Sequence, residues 1–288
     1  MDYEDLANYH WDLGADITIP VQPVRKEDAP RFGLLKTDKQ NNILAFAEKP
    51  KEEKVQKEFV SRKDNERPYL GSMGIYMFNT EVLIDLLSEG EDTDFGGQVI
   101  PRAIESQKVV AYDFDGYWED IGTIRSFYET NLSLTRPDSP FNFNDQKNPI
   151  YSRPRFLPGS TIFGGQLENV LLADGSCVGR SIISDSVVGL RSQVGDGTTI
   201  RSSIIMGADY YDTDQTIAIN AGIPIGIGDG SQIEGAIIDK NVRIGPDVVI
   251  KAFPLGTEIE EDQWAVRDGI VVVMKSAVIP KGTRIGPE

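Results

Sequence analysis

The chain has 288 residues, a formal net charge of −16 at pH 7, and a content of 40% hydrophobic and 26% charged residues. This length is typical of about two domains, and no apolar run comes near the about 18 residues that span a bilayer, so we expect no membrane partner. The acidic balance argues against a nucleic-acid partner, because binding to phosphates requires clustered lysine and arginine.

Helix-like and strand-like segments alternate in the first half of the chain. Helices are predicted at 2–15, at 81–90 (ending at Gly90), at 99–107 and at 123–136. Extended segments are predicted at 15–24, at 32–50 as a hairpin that turns at Asn41–Asn42, at 69–78 as one buried strand, and at 109–122 as a strand and turn. The stretch 51–67 is charged and is expected to be mobile. This alternation indicates an α/β domain, with helices on a mostly parallel sheet.

The second half repeats every six residues, a period that neither a helix nor a single strand produces. Positions 170, 176, 182, 188, 194, 200 and 206 share one phase, and all except Ser176 are aliphatic. After an irregular stretch rich in Asp and Tyr, the repeat resumes at Ile227 and Ile233 and continues, one residue out of step, at 238, 244 and 250. This pattern predicts a parallel β-helix with about 18 residues per coil and these side chains pointing inward. Its predicted corners include Gly189, Gly195, Gly207, Gly228 and Gly245.

Ten motifs occur in one order along the chain: FGLLK…FAEKP, GSMGIYMF, DFGGQVIP, GYWEDIGTI, PIYSRPRFLPGS, SVVGLRSQVGDG, IMGADYY, IPIGIG, IIDKNVRIG and GIVVVMKSAVIPKGT. In this order they resemble the ADP-glucose pyrophosphorylase (glucose-1-phosphate adenylyltransferase) family, in its plant and cyanobacterial branch. The resemblance implies an incomplete Rossmann-like nucleotidyltransferase α/β domain at 1–136 and a left-handed β-helix of hexapeptide repeats at 159–288. The proline-rich segment 137–158 would be the linker between them.

The resemblance implies an enzyme of glycogen or starch biosynthesis. It would convert ATP and glucose 1-phosphate to ADP-glucose and pyrophosphate with Mg²⁺, and it would assemble as a homo- or hetero-tetramer. The family's Gly-rich GGGxGTRL-type loop, which cradles the ATP phosphates, does not occur in these residues. We therefore expect an N-terminally truncated member that does not form ADP-glucose alone. Two alternatives stay open: a non-catalytic regulatory or assembly subunit, and, less supported, a nucleotidyltransferase for another sugar phosphate.

A sugar phosphate needs a cation for its phosphate, polar groups for its hydroxyls, and backbone that approaches closely. The resemblance assigns Lys49 to the glucose phosphate, as a binding and catalytic residue, and Glu48 to the sugar hydroxyls. It also assigns Ser72, Gly74 and Tyr76 to the substrate site. Without the resemblance, Lys49 would be a solvated turn lysine and the other three would belong to a core strand.

The chemistry of adenylyl transfer brings negative oxygens together, and a magnesium ion relieves that charge. The resemblance implies that Asp120, in YWEDIGT, is a metal ligand and a catalytic residue, and that Trp118 packs on the wall of the substrate pocket. Glu119 marks the branch of the family. An acid before a helix is also a common N-cap, so a capping role for Asp120 stays open.

A second group of residues is implied to bind a regulatory anion, phosphate or 3-phosphoglycerate. The matching positions are Arg155, Asp239, Lys240 and Lys275. The two lysines are 35 positions apart, close to two predicted coils, so we expect both on one side of the β-helix with Arg155 completing a three-cation pocket. The alternative is that they are ordinary charges at coil corners.

Two residue types occur only once and bear on other functions. His10 is the only histidine, so the histidine base of β-helix acyltransferases and the three zinc ligands of β-helix carbonic anhydrases are both missing from the repeat region. Cys177 is the only cysteine and cannot form an internal disulfide. We interpret it as a small residue in or beside the coil, consistent with the cytoplasm, or with the plastid in a plant.

Overall fold

The computed structural model describes residues 1–88, 92–147 and 149–287. The chain forms two compact units, Met1–Trp118 and Glu119–Glu288. No described helix is both long enough and apolar enough to cross a membrane. The predicted domain boundaries at 136/137 and 158/159 stay predictions, and the helix predicted at 123–136 falls in the second unit.

The first unit is built on one six-stranded sheet. Its strands are β1 (Ile17–Val24), β2 (Leu34–Thr37), β3 (Ile43–Ala47), β4 (Tyr69–Ser72), β5 (Met77–Phe78) and β6 (Val109–Asp113). Its α-helices are α1 (Tyr3–Asp12), α2 (Glu53–Glu58), α3 (Thr80–Ser88) and α4 (Ile100–Ser106), with a 3₁₀ turn at Ala29–Arg31 and a π-helical turn at Phe95–Val99.

The α/β class is confirmed, but the expectation of a mostly parallel sheet is wrong for these strands. Strand β1 pairs in parallel with β6, whereas its pairs with β4 and β5, and the pairs of β2 with β3 and β4, are antiparallel. A short connection such as the predicted hairpin between β2 and β3 permits only antiparallel pairing. The parallel partner of β1 arrives after a long connection that carries α3 and α4.

Local signals explain the start of α1 and the division of one predicted strand. Helix α1 begins after Asp2, whose carboxylate accepts the N–H of Glu4 at 2.8 Å. The predicted single strand at 69–78 is divided into β4 and β5, because Gly74 adopts a left-handed φ of +69° between them. The stretch expected to be mobile contains α2. Gly90, the predicted end of α3, lies outside the described residues.

The second unit is a parallel β-helix. Its strands are β7 (Thr161–Ile162), β8 (Gly165–Leu172), β9 (Cys177–Val178), β10 (Ser181–Val188), β11 (Gln193–Val194), β12 (Thr199–Arg201), β13 (Ile204–Ile205), β14 (Gly226–Ile227), β15 (Gln232–Glu234), β16 (Ala236–Ile238), β17 (Arg243–Ile244), β18 (Val249–Lys251), β19 (Ile259–Glu260), β20 (Trp264–Arg267), β21 (Ile270–Val273), β22 (Val278–Ile279) and β23 (Arg284–Ile285). Its helices are α5 (Ile124–Ser133) and α6 (Asp214–Ile219).

Three sheet faces enclose the core of this unit. Strands β12, β15, β18 and β23 form the first face, and β13, β16 and β21 form the second. The long strands β8 and β10 bend across both of these faces. The third face consists of β7, β9, β11, β14, β17 and β22. Strands β19 and β20 form an antiparallel excursion that joins the second face at β21.

The regular coils have 16 or 17 residues, not the predicted 18. Leu167 pairs with Ile183 at a spacing of 16, whereas Ile183 pairs with Ile200, and Ile233 with Ile250, at a spacing of 17. The prediction that Ile182 points inward is wrong, since Ile182 is 42% exposed whereas Ile183 is 1% exposed.

One residue of this shortening results from a tight corner between the first and second faces. A single left-handed residue turns it in successive coils, at Asn169, Asp185, Ser202 and Gly235, with φ between +43° and +65°. Asn, Asp and Gly are the residues that adopt this conformation most readily. Because this corner needs one residue fewer, the inward positions on either side of it are five apart, and the phase of six is lost there.

Two excursions interrupt the regular coils. Val194 pairs with Ile227, 33 residues later, and the intervening irregular stretch contains α6. Ile244 pairs with Ile279, 35 residues later, around the β19–β20 hairpin. Helix α5, capped reciprocally by Thr123 and Ser126, packs its apolar face on the second face of the β-helix.

At the start of β10, Ile183 points inward instead of Ile182, and this can be tested by replacing each of the two isoleucines. We expect Ile183→Ala to lower the free energy of unfolding by about 2–5 kcal/mol, because it leaves a cavity in the core. Ile182→Ala is the matched control and should cost much less, because that side chain is 42% exposed. Urea denaturation of both variants measures the two losses in the free energy of unfolding. A larger loss for Ile182→Ala would restore the phase predicted from the sequence.

Candidate functional site

Glu48 and Lys49 follow directly after β3 in the first unit. The Lys49 Nζ lies 3.2 Å from Glu48 Oε1, and the Lys49 side chain is 62% exposed. The Lys49 backbone is left-handed, with a φ of +43°. Such a conformation is unfavourable for a lysine and is held by its surroundings. The lysine therefore presents a solvent-accessible cation at a constrained position.

The Glu48 carboxylate is enclosed by two glycine backbones. A Cβ atom at Gly96 would lie 2.5 Å from Glu48 Oε2, and one at Gly33 would lie 3.0 Å from the same oxygen. Gly96 belongs to the π-helical turn, which Asp94 caps by accepting the N–H of Gly97. A Cβ atom at Gly33 would lie still closer to Phe46, 2.5 Å from Cζ. The two glycines thus leave the space that the Glu48 carboxylate and the Phe46 ring occupy.

Tyr76 lies beside this pair and is stacked on Phe95. The two ring centroids are 5.8 Å apart and the planes differ by 21°. Burial raises the pKa of Tyr76, with smaller opposing and supporting effects from the Ser72 hydroxyl and from Glu48. Between Ser72 and Tyr76, Gly74 faces open space, since a Cβ there would meet nothing within 4 Å. The structure therefore gathers the predicted substrate residues of the first unit, and leaves a backbone surface open beside them.

Other residues of this site were not singled out from the sequence. Phe95 and Gly96 were noted only within the DFGGQVIP motif, and their contacts with Tyr76 and Glu48 join segments distant in the chain. Trp118, which was predicted to be a substrate-pocket residue, packs against Phe32, with ring centroids 5.9 Å apart. Phe32 directly precedes Gly33, so Trp118 supports the turn that borders the Glu48 carboxylate.

Asp120 lies at the start of the second unit. Its Oδ1 accepts the N–H of Gly122 at 2.9 Å, and Oδ2 has no hydrogen bond among the described residues. Thr123, not Asp120, is the N-cap of α5, which removes the capping alternative. No group of three or more potential metal-binding side chains occurs in the described ranges, so Asp120 could contribute only part of a metal site.

The second unit has a cluster of cations around one carboxylate. Lys240 Nζ lies 3.0 Å from Asp209 Oδ1, and Lys275 Nζ lies 3.2 Å from Asp209 Oδ2. Asn241 donates a hydrogen bond to Asp209 Oδ2 at 3.1 Å. The hydrogen bonds from Lys240, Lys275 and Asn241 lower the pKa of Asp209 to about 2. Asp209 is therefore the internal counter-ion of both lysines, a role that the sequence analysis missed.

The prediction that Lys240 and Lys275 share one side is confirmed, but for a different reason. Ile238 pairs with Val273 and Arg243 with Val278, so the lysines occupy equivalent positions in adjacent coils. Their separation is one coil plus the β19–β20 excursion, not two coils.

The other two predicted effector residues have local contacts. Asp239 Oδ1 accepts the N–H of Lys240 at 2.6 Å. Arg155 donates to the carbonyl of Arg153 at 3.3 Å. In the described part of the chain, its contacts do not include the lysine pair. The structure brings together two of the three predicted cations, Lys240 and Lys275. The three-cation pocket with Arg155 stays a prediction.

The two unique side chains have structural positions. His10 is buried, with Nδ1 2.8 Å from Thr18 Oγ1 and Nε2 3.2 Å from Asn79 Oδ1, so it packs inside the first unit. Cys177 is a free, half-buried thiol in β9, in line with its interpretation as a small residue of the coil.

The lysine cluster predicts a pH dependence. Because the Asp209 pKa is depressed in the folded state, its contribution to stability is present above the ordinary value of 3.8 and is lost as the pH falls toward about 2. At pH 7, Asp209→Asn should cost up to about 1 kcal/mol, a low value because the pair is partly solvated.

The difference between wild type and Asp209→Asn in urea denaturation should shrink between pH 4 and pH 2 and persist above pH 4. Asp247→Asn is a matched control, because that carboxylate faces a single lysine, Lys281, at 3.5 Å. A pH-independent effect of Asp209→Asn would show that its charge is not the stabilising group.

Comparison with known proteins covers both units. A nucleotidyl transferase family model matches residues 1–136, and the GLGC left-handed parallel beta-helix domain model matches residues 155–284. The chain is 42% identical to the glucose-1-phosphate adenylyltransferase small subunit, chloroplastic/amyloplastic, of Triticum aestivum, over 302 aligned positions. That alignment covers 99% of this chain and 64% of the Triticum protein, so the chain spans less than two thirds of the length of this relative.

These matches confirm the predicted fold, a nucleotidyltransferase α/β domain followed by a left-handed β-helix. They extend over the segments that carry both residue clusters, Glu48 with Lys49 and Lys240 with Lys275. The resemblance of the ordered motifs is confirmed by the identity along nearly the whole chain. The chain belongs to the glucose-1-phosphate adenylyltransferase (ADP-glucose pyrophosphorylase) family of nucleotidyltransferases.

Proposed function

We propose that this chain takes part in the transfer of an adenylyl group from ATP to glucose 1-phosphate, and that its first unit holds the glucose 1-phosphate. The observation that carries the proposal is the convergence of Glu48, Lys49, Ser72 and Tyr76 around an open backbone surface at Gly74. This arrangement offers a cation, a fixed acceptor, hydroxyls and close backbone, which are the groups that a sugar phosphate requires.

Each residue has a role that follows from its chemistry. The exposed Lys49 ammonium would pair with the phosphate as a mobile point charge. Glu48, whose carboxylate lies beside Gly33 and Gly96, would accept hydrogen bonds from sugar hydroxyls. Charge-assisted hydrogen bonds of this kind are stronger than neutral ones, so this pair would orient the sugar as well as bind it.

In the proposed reaction, a phosphate oxygen of glucose 1-phosphate attacks the α-phosphorus of ATP, and the bond to pyrophosphate breaks. Asp120 fits a magnesium site, because carboxylate oxygens are preferred ligands and its Oδ2 is not engaged among the described residues. Bound magnesium would reduce the repulsion between the phosphates. Lys49 would keep the attacking phosphate in place while the bond forms.

The Triticum relative is named as a small subunit and as chloroplastic/amyloplastic. We accordingly propose that this chain also functions within an assembly of such subunits, a homo- or hetero-tetramer, in ADP-glucose synthesis for starch or glycogen. The Lys240–Lys275 cluster favours a regulatory contribution alongside catalysis, because it lies in the β-helix and does not depend on the ATP loop. If this chain binds the anion but not glucose 1-phosphate, it is the regulatory or assembly subunit.

Removing the proposed phosphate contact should weaken binding of glucose 1-phosphate. We expect Lys49→Ala to raise the dissociation constant about tenfold or more, because a hydrogen bond to a charged group is lost. Lys51→Ala is the matched control, since Lys51 is an exposed lysine two residues away. Isothermal titration calorimetry without ATP measures both. Equal affinities for Lys49→Ala and wild type would exclude Lys49 from the sugar-phosphate site.

The regulatory anion is proposed to bind at Lys240 and Lys275. A phosphorylated acid, 3-phosphoglycerate, or inorganic phosphate would compete with the Asp209 carboxylate, which is paired with both lysines. A ligand with more negative charge than one carboxylate could replace it, because two adjacent ammonium groups favour a dianion. Any shift in the protein's conformation then requires only different affinities in the two states.

Binding at this cluster should raise the thermal midpoint. Phosphate or 3-phosphoglycerate is expected to stabilise wild type in differential scanning fluorimetry, because the ligand binds the folded chain. The double variant Lys240→Ala/Lys275→Ala should show no such shift. Lys251→Ala/Lys281→Ala, which removes two exposed lysines of the same β-helix, should retain it. A double variant stabilised as much as wild type would place the anion elsewhere.

A further inference from the structure

A cleft of about 540 Å³ lies within the second unit, apart from the lysine cluster. It opens between the excursion that follows β13 and the third face of the β-helix. Volumes of this size are typical of small-molecule sites, which are mostly apolar with a few placed polar groups.

The excursion that forms one wall is held rigidly. Arg243, whose side chain is 3% exposed, donates to both carboxylate oxygens of Asp212, at 2.7 and 2.9 Å. Asp212 also accepts the N–H of Ile225 at 2.7 Å, and Tyr211 donates its hydroxyl to the carbonyl of Gly175 at 2.9 Å. These contacts tie both ends of the excursion to the coils. The cleft is therefore preformed, and a ligand need not order its wall.

The floor of the cleft has no side chains over part of its area. A Cβ atom at Gly195 would lie 2.3 Å from Asp229 Oδ1, and one at Gly226 would lie 2.2 Å from the carbonyl oxygen of Gln193. Stacking of the coils thus requires glycine at these two positions of the cleft. The cleft is also lined by the half-exposed rings of Tyr210 and Tyr211. Two exposed aromatic rings in a cleft suit an aromatic ligand that stacks on them.

Arg191 supplies the available charge in the cleft. Its guanidinium lies 5.8 Å from the centre of the Tyr211 ring, and Nη1 donates to the carbonyl of Ala208 at 3.2 Å. In the described ranges Arg191 has no ion pair, and its Nε and Nη2 donate no hydrogen bond to protein. Of the two carboxylates that line the cleft, Asp212 is paired with Arg243, and Asp229 retains its negative charge while its Oδ1 accepts the N–H of Asp196 at 2.9 Å. The cation is positioned but not neutralised.

We propose that this cleft binds an aromatic anion, with its ring against Tyr210 and Tyr211 and its anionic group on Arg191. Guanidinium groups pair with carboxylate and phosphate through two parallel hydrogen bonds, and the free Nε and Nη2 form such a pair of donors. Two natural classes of ligand combine an aromatic ring with an anionic group: nucleoside monophosphates and aromatic carboxylic acids. The site is separate from the proposed glucose 1-phosphate site and from the Lys240–Lys275 cluster.

The chain carries its own reporter of this cleft. Cys177 is the only cysteine and lines the cleft, so alkylation by iodoacetamide reports on occupancy there alone. We expect AMP or indole-3-carboxylate to slow alkylation, and their neutral counterparts adenosine and indole to need at least tenfold higher concentration. Protection by AMP alone assigns a nucleotide, and protection by the carboxylate alone assigns an aromatic acid. Protection by neither, with no heat of binding in calorimetry at millimolar concentration, overturns the proposal.

A variant pair tests the role of Arg191. Arg191→Gln should raise the dissociation constant of the anion at least tenfold while leaving the neutral counterpart unchanged, because only the charge is removed. Arg180→Gln is the matched control, since that arginine is 78% exposed and does not line the cleft. If Arg191→Gln is unfolded by circular dichroism, the salt dependence of anion binding to wild type decides instead. Anion binding that is insensitive to both the variant and salt overturns the assignment.

Discussion

Each coil of the β-helix must place an aliphatic side chain directly above its equivalent in the coil below, and the second unit depends on this register. Ile183, Ile200, Ile233, Ile250 and Ile285 form one such column and are all nearly inaccessible to solvent. Close packing of these columns leaves little tolerance for an extra residue. Additional chain must therefore leave the coil at a corner, return to the same register, and pack outside the core.

The two excursions follow this constraint and carry the chemistry of the unit. The first brings Asp209 to the lysines and the tyrosines to the cleft, and the second brings Lys275 into the coil above Lys240. The buried pair of Asp212 and Arg243 fixes the first excursion. Breaking such a pair by removing one partner costs about 3–5 kcal/mol, because a charge is left buried. The regular coils thus set the geometry of the two irregular excursions that leave them.

The first unit solves a related problem with glycine. The Glu48 carboxylate lies beside Lys49, in space that the absent side chains of Gly33 and Gly96 leave available. Tyr76 stacks on Phe95, which directly precedes Gly96. The backbone at Gly74 is open to a ligand.

The sequence by itself determined the class of each unit and the family, because periodicity and ordered motifs are properties of neighbouring residues. It also pointed to Glu48, Lys49, Lys240 and Lys275 as members of two sites. Only the tertiary structure decided the antiparallel pairing of the sheet, the coil length of 16 or 17 residues and the inward position of Ile183 rather than its neighbour. The left-handed corner that shifts the phase is a single-residue conformation, which a repeat of aliphatic positions does not encode. Contacts such as Asp209 with both lysines join residues more than thirty positions apart, and chain folding alone brings them together.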